Sequence, residues 1–240
     1  MTNTTSNGLR VTWYGHAAFK LEGDGLRVIL DPYRSPDSGG YEPIDDSADV
    51  VVVSHENDRY HSHLGQIRPP FMTLRGLEFP PGGVEFGGVR FQATRVFESP
   101  ERRPDEAVTI LDFTLGGIRV LFLGDLGHPL DSNQLDRLRG CDLALVPAGG
   151  PPTLALEDLR DLLVDLQPRH VVPMHYLTPR VNLKLQPIDT FLELMRPLGW
   201  PIRFAEGSSL VISPSAAGAE GTATAIAPTA PEIQVLKHGR

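Results

Sequence analysis

Histidine and carboxylate residues recur at four points where an apolar run of the sequence ends. The four segments are 51–61 (VVVSHENDRYH), 96–98 (VFE), 121–128 (LFLGDLGH) and 171–176 (VVPMHY). Imidazole nitrogens and carboxylate oxygens are ligands that zinc and manganese accept from proteins, and a metal bound in this way can activate water for hydrolysis. One such residue at a strand end is more often structural. Four segments that can meet at one edge of an α/β fold predict a common metal site.

Short apolar runs separated by Gly, Asp and Pro predict a first part of the chain that is rich in strands. We expect strands at 9–14, 18–21, 26–30, 50–54, 84–86, 89–94, 108–115 and 118–123, with hairpin turns at Gly87-Gly88 and Gly116-Gly117. Leucines at helical spacing predict a helix at 156–166. Two more helices are expected at 132–138, capped by Asp131 or Ser132, and at 188–198.

Each of these helices precedes a short apolar strand, expected at 143–146, 171–173 and 202–205. Strands come first along the chain and are followed by alternating strands and helices. This order predicts a mixed α/β (α+β) fold with the sheets and helices in layers.

Composition limits the classes of protein and partner. The chain of 240 residues is 40% hydrophobic and 22% charged, which suits one large domain. A net charge of −8 argues against nucleic acid as the partner. A single cysteine, Cys141, cannot close an intramolecular disulfide, and no signal peptide or membrane-spanning run is visible. We therefore expect a cytoplasmic protein with a small-molecule substrate and no membrane partner; self-association stays open.

The composition changes near residue 213. From 213 to about 231 the chain is mostly Ala, Gly, Thr, Ser and Pro, which bury too little apolar surface to offset the entropy of ordering the chain. We therefore predict a domain at 9–212 and a flexible C-terminal tail at 213–240.

Six segments, taken in order, resemble the metallo-β-lactamase superfamily, and within it the L-ascorbate-6-phosphate lactonase-like branch of metal-dependent hydrolases. They are 13–19 (WYGHAAF), 31–32 (DP), 54–55 (SH), 124–128 (GDLGH), 146–150 (VPAGG) and 173–176 (PMHY). The resemblance covers about 9–212. It implies a four-layer αβ/βα sandwich with a metal centre at one edge, where a bridging hydroxide attacks an ester, lactone, amide or phosphoester.

The ligand positions that the resemblance implies are only partly retained. The family's His-x-His-x-Asp-His loop falls on 55–60 (HENDRY), so only its first histidine is matched. The next family histidine falls on a glutamate that can still coordinate, while the bridging aspartate and the last histidine are matched. The resemblance thus implies a degenerate site with one zinc or manganese ion per chain, or none, on His55, Glu98, Asp125 and His175, with Asn57 as a weak neutral ligand.

Arg59, which stands where the family has a carboxylate, allows two interpretations. Its guanidinium can take the place of a second ion and pair with Asp125 or with a substrate anion. Alternatively, the loop is remodelled and His61 or His63 enters the site, with Asp58 as another alternative ligand. His16, at a strand exit, either has a catalytic role at the site or makes a structural hydrogen bond. The resemblance gives Asp31 a supporting role near the site.

Two functions remain in view. The first is a metal-dependent hydrolase of a small ester, lactone or phosphoester, in which Asp125 orients the metal-activated water. The second is a family member with little or no metal that binds a small anion or a protein without turnover, since a fold does not guarantee a chemistry.

Overall fold

The structure is a computed structural model that describes residues 8–214 and 230–238. Its strands are β1 (Leu9–Gly15), β2 (Ala18–Gly23), β3 (Leu26–Leu30), β4 (Asp46–Ser47), β5 (Val50–Val53), β6 (Ile67–Arg68), β7 (Met72–Arg75), β8 (Val84–Phe86), β9 (Val89–Phe97), β10 (Ala107–Leu115), β11 (Ile118–Phe122), β12 (Leu143–Pro147), β13 (His170–Met174), β14 (Ile202–Phe204), β15 (Ser209–Ile212) and β16 (Glu232–Val235). Its helices are α1 (Ser132–Leu138), α2 (Leu156–Leu166) and α3 (Ile188–Met195).

The described residues form two large mixed sheets and a small two-stranded sheet of β4 and β6. A six-stranded sheet has the order β15-β1-β2-β3-β5-β7, and an eight-stranded sheet has the order β14-β16-β13-β12-β11-β10-β9-β8. In the first sheet β3, β5 and β7 run parallel, and in the second β11, β12, β13, β16 and β14 run parallel. Because parallel strands share a direction, the residues that follow them collect at one edge of each sheet.

Strand β5 shows how the sequence produces a six-stranded sheet that is covered on both faces. All four of its valines are buried, as expected for a parallel strand that is covered on both faces. Val50 and Val52 belong to the large core between the sheets, whereas Val51 packs in a second cluster with Tyr33 and Tyr41. The alternation fixes the register, so the polar residues after Val53 emerge at the sheet edge.

The local predictions agree well with the structure. Helices α1 and α2 have the predicted bounds, and Asp131 and Gln134 form a reciprocal capping box at the start of α1. Helix α3 ends at Met195 and gives way to one 3-10 turn that contains Pro197. Both hairpins turn at the predicted glycine pairs, where all four glycines have positive φ. No helix in the described part of the chain is long and apolar enough to cross a membrane.

The predicted sandwich fold is confirmed, with one difference in its layers. Helices α2 and α3 contribute buried side chains such as Leu163 and Phe191 to the main core. On the outer face of the first sheet, the residues that cover Ile29 and Val51 come from the segment 33–67, which the structure describes without an α-helix. Loop side chains such as Tyr33, Tyr41 and Ile44 form that layer.

The predicted tail needs a correction. Residues 232–235 form strand β16, which lies between β13 and β14 and pairs with both in parallel. Ile233 is fully buried, and Val235 and Leu236 are nearly so. The prediction missed this strand because the low-complexity composition of 213–231 was extended to the apolar residues that follow that stretch. The tail prediction for 215–229 and 239–240 lies outside the described residues.

Candidate metal centre

Strand ends from both sheets meet at one place. The first sheet supplies His16 after β1, and His55 and His61 after β5, while the second supplies Asp125 after β11 and His175 after β13. The ligand atoms of His55, His61 and Asp125 lie within 4.8 Å of one another, and so do those of His16, His61 and His175. Of these five residues only His55 is not almost fully buried.

Asp125 is at the centre of the cluster. Its Oδ2 lies 3.0 Å from Nδ1 of His55 and 2.7 Å from Nε2 of His61. Its Oδ1 lies 3.5 Å from Nε2 of His175, has no hydrogen-bond partner in the described structure and is buried. One carboxylate therefore faces three imidazole rings, so its oxygens and the ring nitrogens can act together as ligands of a cation.

His61 is held in place by a buried support. Nδ1 of His61 lies 3.2 Å from Oδ2 of Asp31, whose two oxygens also accept hydrogen bonds from the backbone N–H and hydroxyl of Ser54. A carboxylate accepts hydrogen bonds, so Nδ1 of His61 carries the proton there. This leaves Nε2, on the Asp125 side, as the atom that can bind an ion.

The buried ring of His16 makes no hydrogen bond to the residues that the structure describes. The ring is 1% exposed, both ring nitrogens lack hydrogen-bond partners in the described structure, and the ring centroid of His175 lies 4.3 Å away. An unpartnered buried polar group costs about 1–3 kcal/mol, so a ligand for His16 is expected. His16 is anchored through its backbone oxygen, which accepts hydrogen bonds from Nε1 of Trp13 and the backbone N–H of His175.

Three of the six described non-glycine residues with positive φ lie at this centre. His16, Asp31 and His175 adopt positive φ values of 50°, 42° and 50°, a conformation that L-residues seldom adopt. Such conformations persist where the surrounding structure enforces them, and they are typical of functional sites.

Two glycines allow the strand ends to approach. A Cβ on Gly127 would overlap the carbonyl oxygen of Glu98, and a Cβ on Gly149 would overlap the carbonyl oxygen of His175. These contacts bring the loops after β9 and β12 against the metal-binding residues. Gly149 also accepts a hydrogen bond from the backbone N–H of Gln186, which fixes the following loop.

The electrostatics of the cluster favour cation binding. Burial alone would raise the pKa of Asp125, but His61 and His175 hold it well below its usual range. Burial opposes protonation of His61, yet Asp125 and Asp31 raise its pKa to about 10. Burial lowers the pKa of His16 and of His175, which keeps both rings neutral and able to coordinate. Without an ion, a proton on His61 balances the charge of Asp125.

Glu98 lies on the open side of the centre. Its Oε2 is 3.8 Å from Nε2 of His55, and its side chain is 30% exposed. Burial, together with the nearby charge of Asp125, raises the pKa of Glu98. A cation beside these groups would relieve that repulsion. The structure therefore brings together four of the residues predicted from the resemblance, namely His55, Glu98, Asp125 and His175, and adds His16 and His61.

Three of the predicted residues lie elsewhere. Arg59 does not contact Asp125; its Nε donates to the carbonyl oxygen of Asp37. The side-chain oxygen of Asn57 accepts a hydrogen bond from the backbone N–H of Arg59, and so it stabilises its own turn. Asp58 pairs with Arg34 and His63 at the surface.

Of the two sequence interpretations, the remodelled loop accounts for the entry of His61, whereas the predicted pairing of Arg59 with Asp125 is absent from the described structure. Backbone N–H groups of residues 60–62 all bond to the carbonyl oxygen of Asn57, and this turn carries His61 back into the site. His63 faces outward to Asp58. The sequence analysis gave His61 only as an alternative ligand. The path of a loop cannot be predicted from a repeating apolar pattern, as the position of a strand or helix can.

Comparison with known proteins agrees with this geometry. Residues 10–175 match the family model described as "Beta-lactamase superfamily domain". The match covers more than half of the chain, which therefore belongs to the β-lactamase superfamily.

Individual relatives are similar over most of their length. A UPF0173 protein of Pyrococcus abyssi (strain GE5 / Orsay) is 29% identical over 188 residues, 71% of this chain and 84% of the relative. A UPF0173 metal-dependent hydrolase of Nitratidesulfovibrio vulgaris (strain DP4) is 29% identical over 199 residues, 70% of this chain and 80% of the relative. A Thermotoga maritima crystal structure, provisionally described as a Zn-dependent hydrolase of the metallo-beta-lactamase superfamily, is 26% identical, has a TM-score of 0.70 and covers 95% of this chain and 98% of that one.

Proposed function

We propose that the protein is a metal-dependent hydrolase whose ion is held by His61, Asp125 and the histidines around them. The observation that carries the proposal is the buried donor set itself: one carboxylate facing three imidazoles, with a fourth imidazole whose two nitrogens have no partner in the described structure. Nitrogen and oxygen donors of this kind suit zinc and manganese. The similarity to UPF0173 metal-dependent hydrolases supports the same conclusion.

A divalent ion in this centre would polarise the scissile bond and lower the pKa of a water molecule. The residues of the chain supply the rest. Asp31 and Ser54 hold His61 with its Nε2 towards Asp125. Asp125 would help to hold the ion and would orient the water, and Glu98 would act from the open side beside His55. We expect the substrate to be a small ester, lactone or phosphoester, and the lactonase-like branch and a cytoplasmic location stay part of the proposal.

The test is the metal content of the purified protein after dialysis, with zinc and manganese offered separately. We expect about one ion per chain in the wild type and its loss in Asp125→Ala and His61→Ala. His63→Ala is the matched control, because His63 lies only two residues from His61 but pairs with Asp58 outside the centre.

The folded state of each variant is checked by circular dichroism, so that loss of metal is separated from unfolding. Thermal melting with and without added ion gives an independent readout, since binding to the folded state raises its stability. A folded wild type that takes up neither ion would overturn the proposal and favour a binding protein on the same fold.

A further inference from the structure

Three loops are bound together beside the metal centre. The backbone N–H of Gly40 donates to the carbonyl oxygen of Arg180 at 2.6 Å, and Nη1 of Arg180 donates back to the carbonyl oxygen of Gly40 at 2.9 Å. Nδ2 of Asn182 donates to the carbonyl oxygen of Asp37 at 3.0 Å. The same Asp37 oxygen accepts from Nε of Arg59 at 2.7 Å. The segments 37–40, 59–60 and 180–182 thus form a fixed rim.

Tyr60 connects this rim to the proposed metal ligands. Its hydroxyl donates to Oδ1 of Asn182 at 3.2 Å, while its ring centroid lies 5.3 Å from that of His16. The guanidinium carbon of Arg59 lies 5.1 Å from the centre of the Tyr60 ring. A single aromatic ring therefore separates the charge of Arg59 from the buried histidine cluster.

The charge of Arg59 is not neutralised by the residues that the structure describes. Although the chain has 30 acidic and 22 basic residues, Arg59 makes no ion pair within 8–214 and 230–238. The nearby carboxylates of Asp37 and Asp58 each lie 2.8 Å from Arg34. Arg180 on the same rim also makes no ion pair with a described residue. Arg59 is an exposed residue, and its terminal nitrogens make no hydrogen bond to the residues that the structure describes.

We propose that Arg59 binds an anionic group, phosphate or carboxylate, that the substrate carries apart from its scissile bond. The planar fork of a guanidinium suits such anions, and here its stem is already fixed by the Asp37 carbonyl and the Tyr60 ring, so little freedom is lost on binding. The substrate would span the rim and the metal centre. This inference rests on the proposed hydrolase function and narrows its substrate to anionic compounds.

Calorimetric titration at low ionic strength tests the inference, with inorganic phosphate and acetate as separate probes. We expect Arg59→Gln to weaken the binding of the preferred anion about tenfold, as for the loss of a charge-assisted pair. Arg59→Lys keeps the positive charge but loses the planar guanidinium, so its affinity for the anion should lie between those of the wild type and Arg59→Gln. Arg10→Gln is the matched control, because Arg10 is another exposed arginine without an ion pair in the described structure and lies near the start of β1.

Each titration is run with metal-loaded protein and again after chelation, and metal content is measured for every variant. Whichever anion binds more tightly, with a loss in Arg59→Gln, identifies the charged group of the substrate. Equal affinity in the wild type and Arg59→Gln, or binding that depends on the ion alone, overturns the inference. If Arg59-dependent binding persists in a wild type that takes up no metal, the hydrolase proposal fails and the anion site stands.

Discussion

His61 contacts two carboxylates at once, one on each side of its ring. Asp31 accepts a hydrogen bond from Nδ1 and Asp125 faces Nε2, so the two carboxylates fix the orientation of the ring. Because Asp125 and Asp31 raise the pKa of His61, a cation that binds Nε2 would displace a proton from that atom. The affinity of the centre for its ion should therefore depend on the support behind His61.

We expect Asp31→Asn to weaken metal binding by about 10–100-fold, the usual effect of losing a supporting partner of a ligand. The amide would donate towards Nδ1 of His61 and favour the tautomer with its proton on Nε2, where the ion must bind. The dissociation constant is measured by competition with a chelator of known affinity.

Asp46→Asn is the matched control. Asp46 also accepts several hydrogen bonds, from the hydroxyl of Tyr14, Nζ of Lys20 and the backbone N–H of Ser47, but it lies outside the cluster. Both substitutions should lower stability, whereas only Asp31→Asn should lower metal affinity. Unchanged affinity in Asp31→Asn would show that Asp31 does not prepare His61.

Three of the candidate ligands could be predicted from the sequence for a physical reason. His55, Asp125 and His175 lie within three residues of the end of a buried strand, and the position of a strand end is set by the apolar pattern. His61 lies eight positions beyond the end of β5, where the path depends on the turn around Asn57 and on contacts distant in sequence. The contact of Arg59 with Asp37 rather than with Asp125 depends on the same turn, so the sequence alone did not reveal it.

At the scale of elements, the loop after β12 packs against the backbone of His175 and so supports the candidate metal centre. Gly149 packs against the carbonyl oxygen of His175, and its would-be Cβ also lies 3.0 Å from Cα of Tyr176. Since the opposing atoms are backbone, they cannot move aside as a flexible side chain would. The close approach of β12 and β13 at this edge therefore depends on the absence of a side chain.

We expect Gly149→Ala to destabilise the protein by about 1–3 kcal/mol, as overpacking does, and to reduce metal content by displacing His175. Gly207→Ala is the control, because its Cβ would meet no heavy atom within 4 Å and its φ is not positive. Gly207→Ala should stay within about 0.5 kcal/mol of the wild type in urea denaturation. Equal stability and metal content in the two variants would contradict the role of Gly149.

Elements with strong local patterns were predicted, and those that depend on distant partners were not. Helix α2 has five buried leucines on one face and the hairpins have glycine pairs, so both are visible in a short window. Strand β7, in contrast, has one buried residue, Leu74, and pairs only with β5. Strand β15 has one buried residue as well, and its partner β1 lies nearly 200 positions earlier.

At the scale of the whole molecule, β16 completes the larger sheet. Ile233 is the register partner of Val171 in β13 and of Ile202 in β14, and its side chain is fully buried. The domain boundary predicted at 212 is therefore too early for 230–238, since these residues are part of the packed sheet.

We expect Ile233→Ala to lower the free energy of unfolding by about 2–5 kcal/mol, as for other large-to-small substitutions in a core. Lys237→Ala, four residues later and exposed, should change it by no more than about 0.5 kcal/mol. Chemical denaturation of the metal-free proteins measures both. Equal midpoints and slopes for the two variants would mean that β16 contributes little to the fold.

The distribution of the ligands between the two sheets makes the ion a reporter of assembly. His16, His55 and His61 belong to the six-stranded sheet, whereas Glu98, Asp125 and His175 belong to the eight-stranded sheet. Neither half of the sandwich has the Asp125 carboxylate together with all the imidazoles, so a partly folded chain with only one sheet formed would lack the complete set. An ion held by residues of both sheets would link the two halves, and its uptake would report that they have docked.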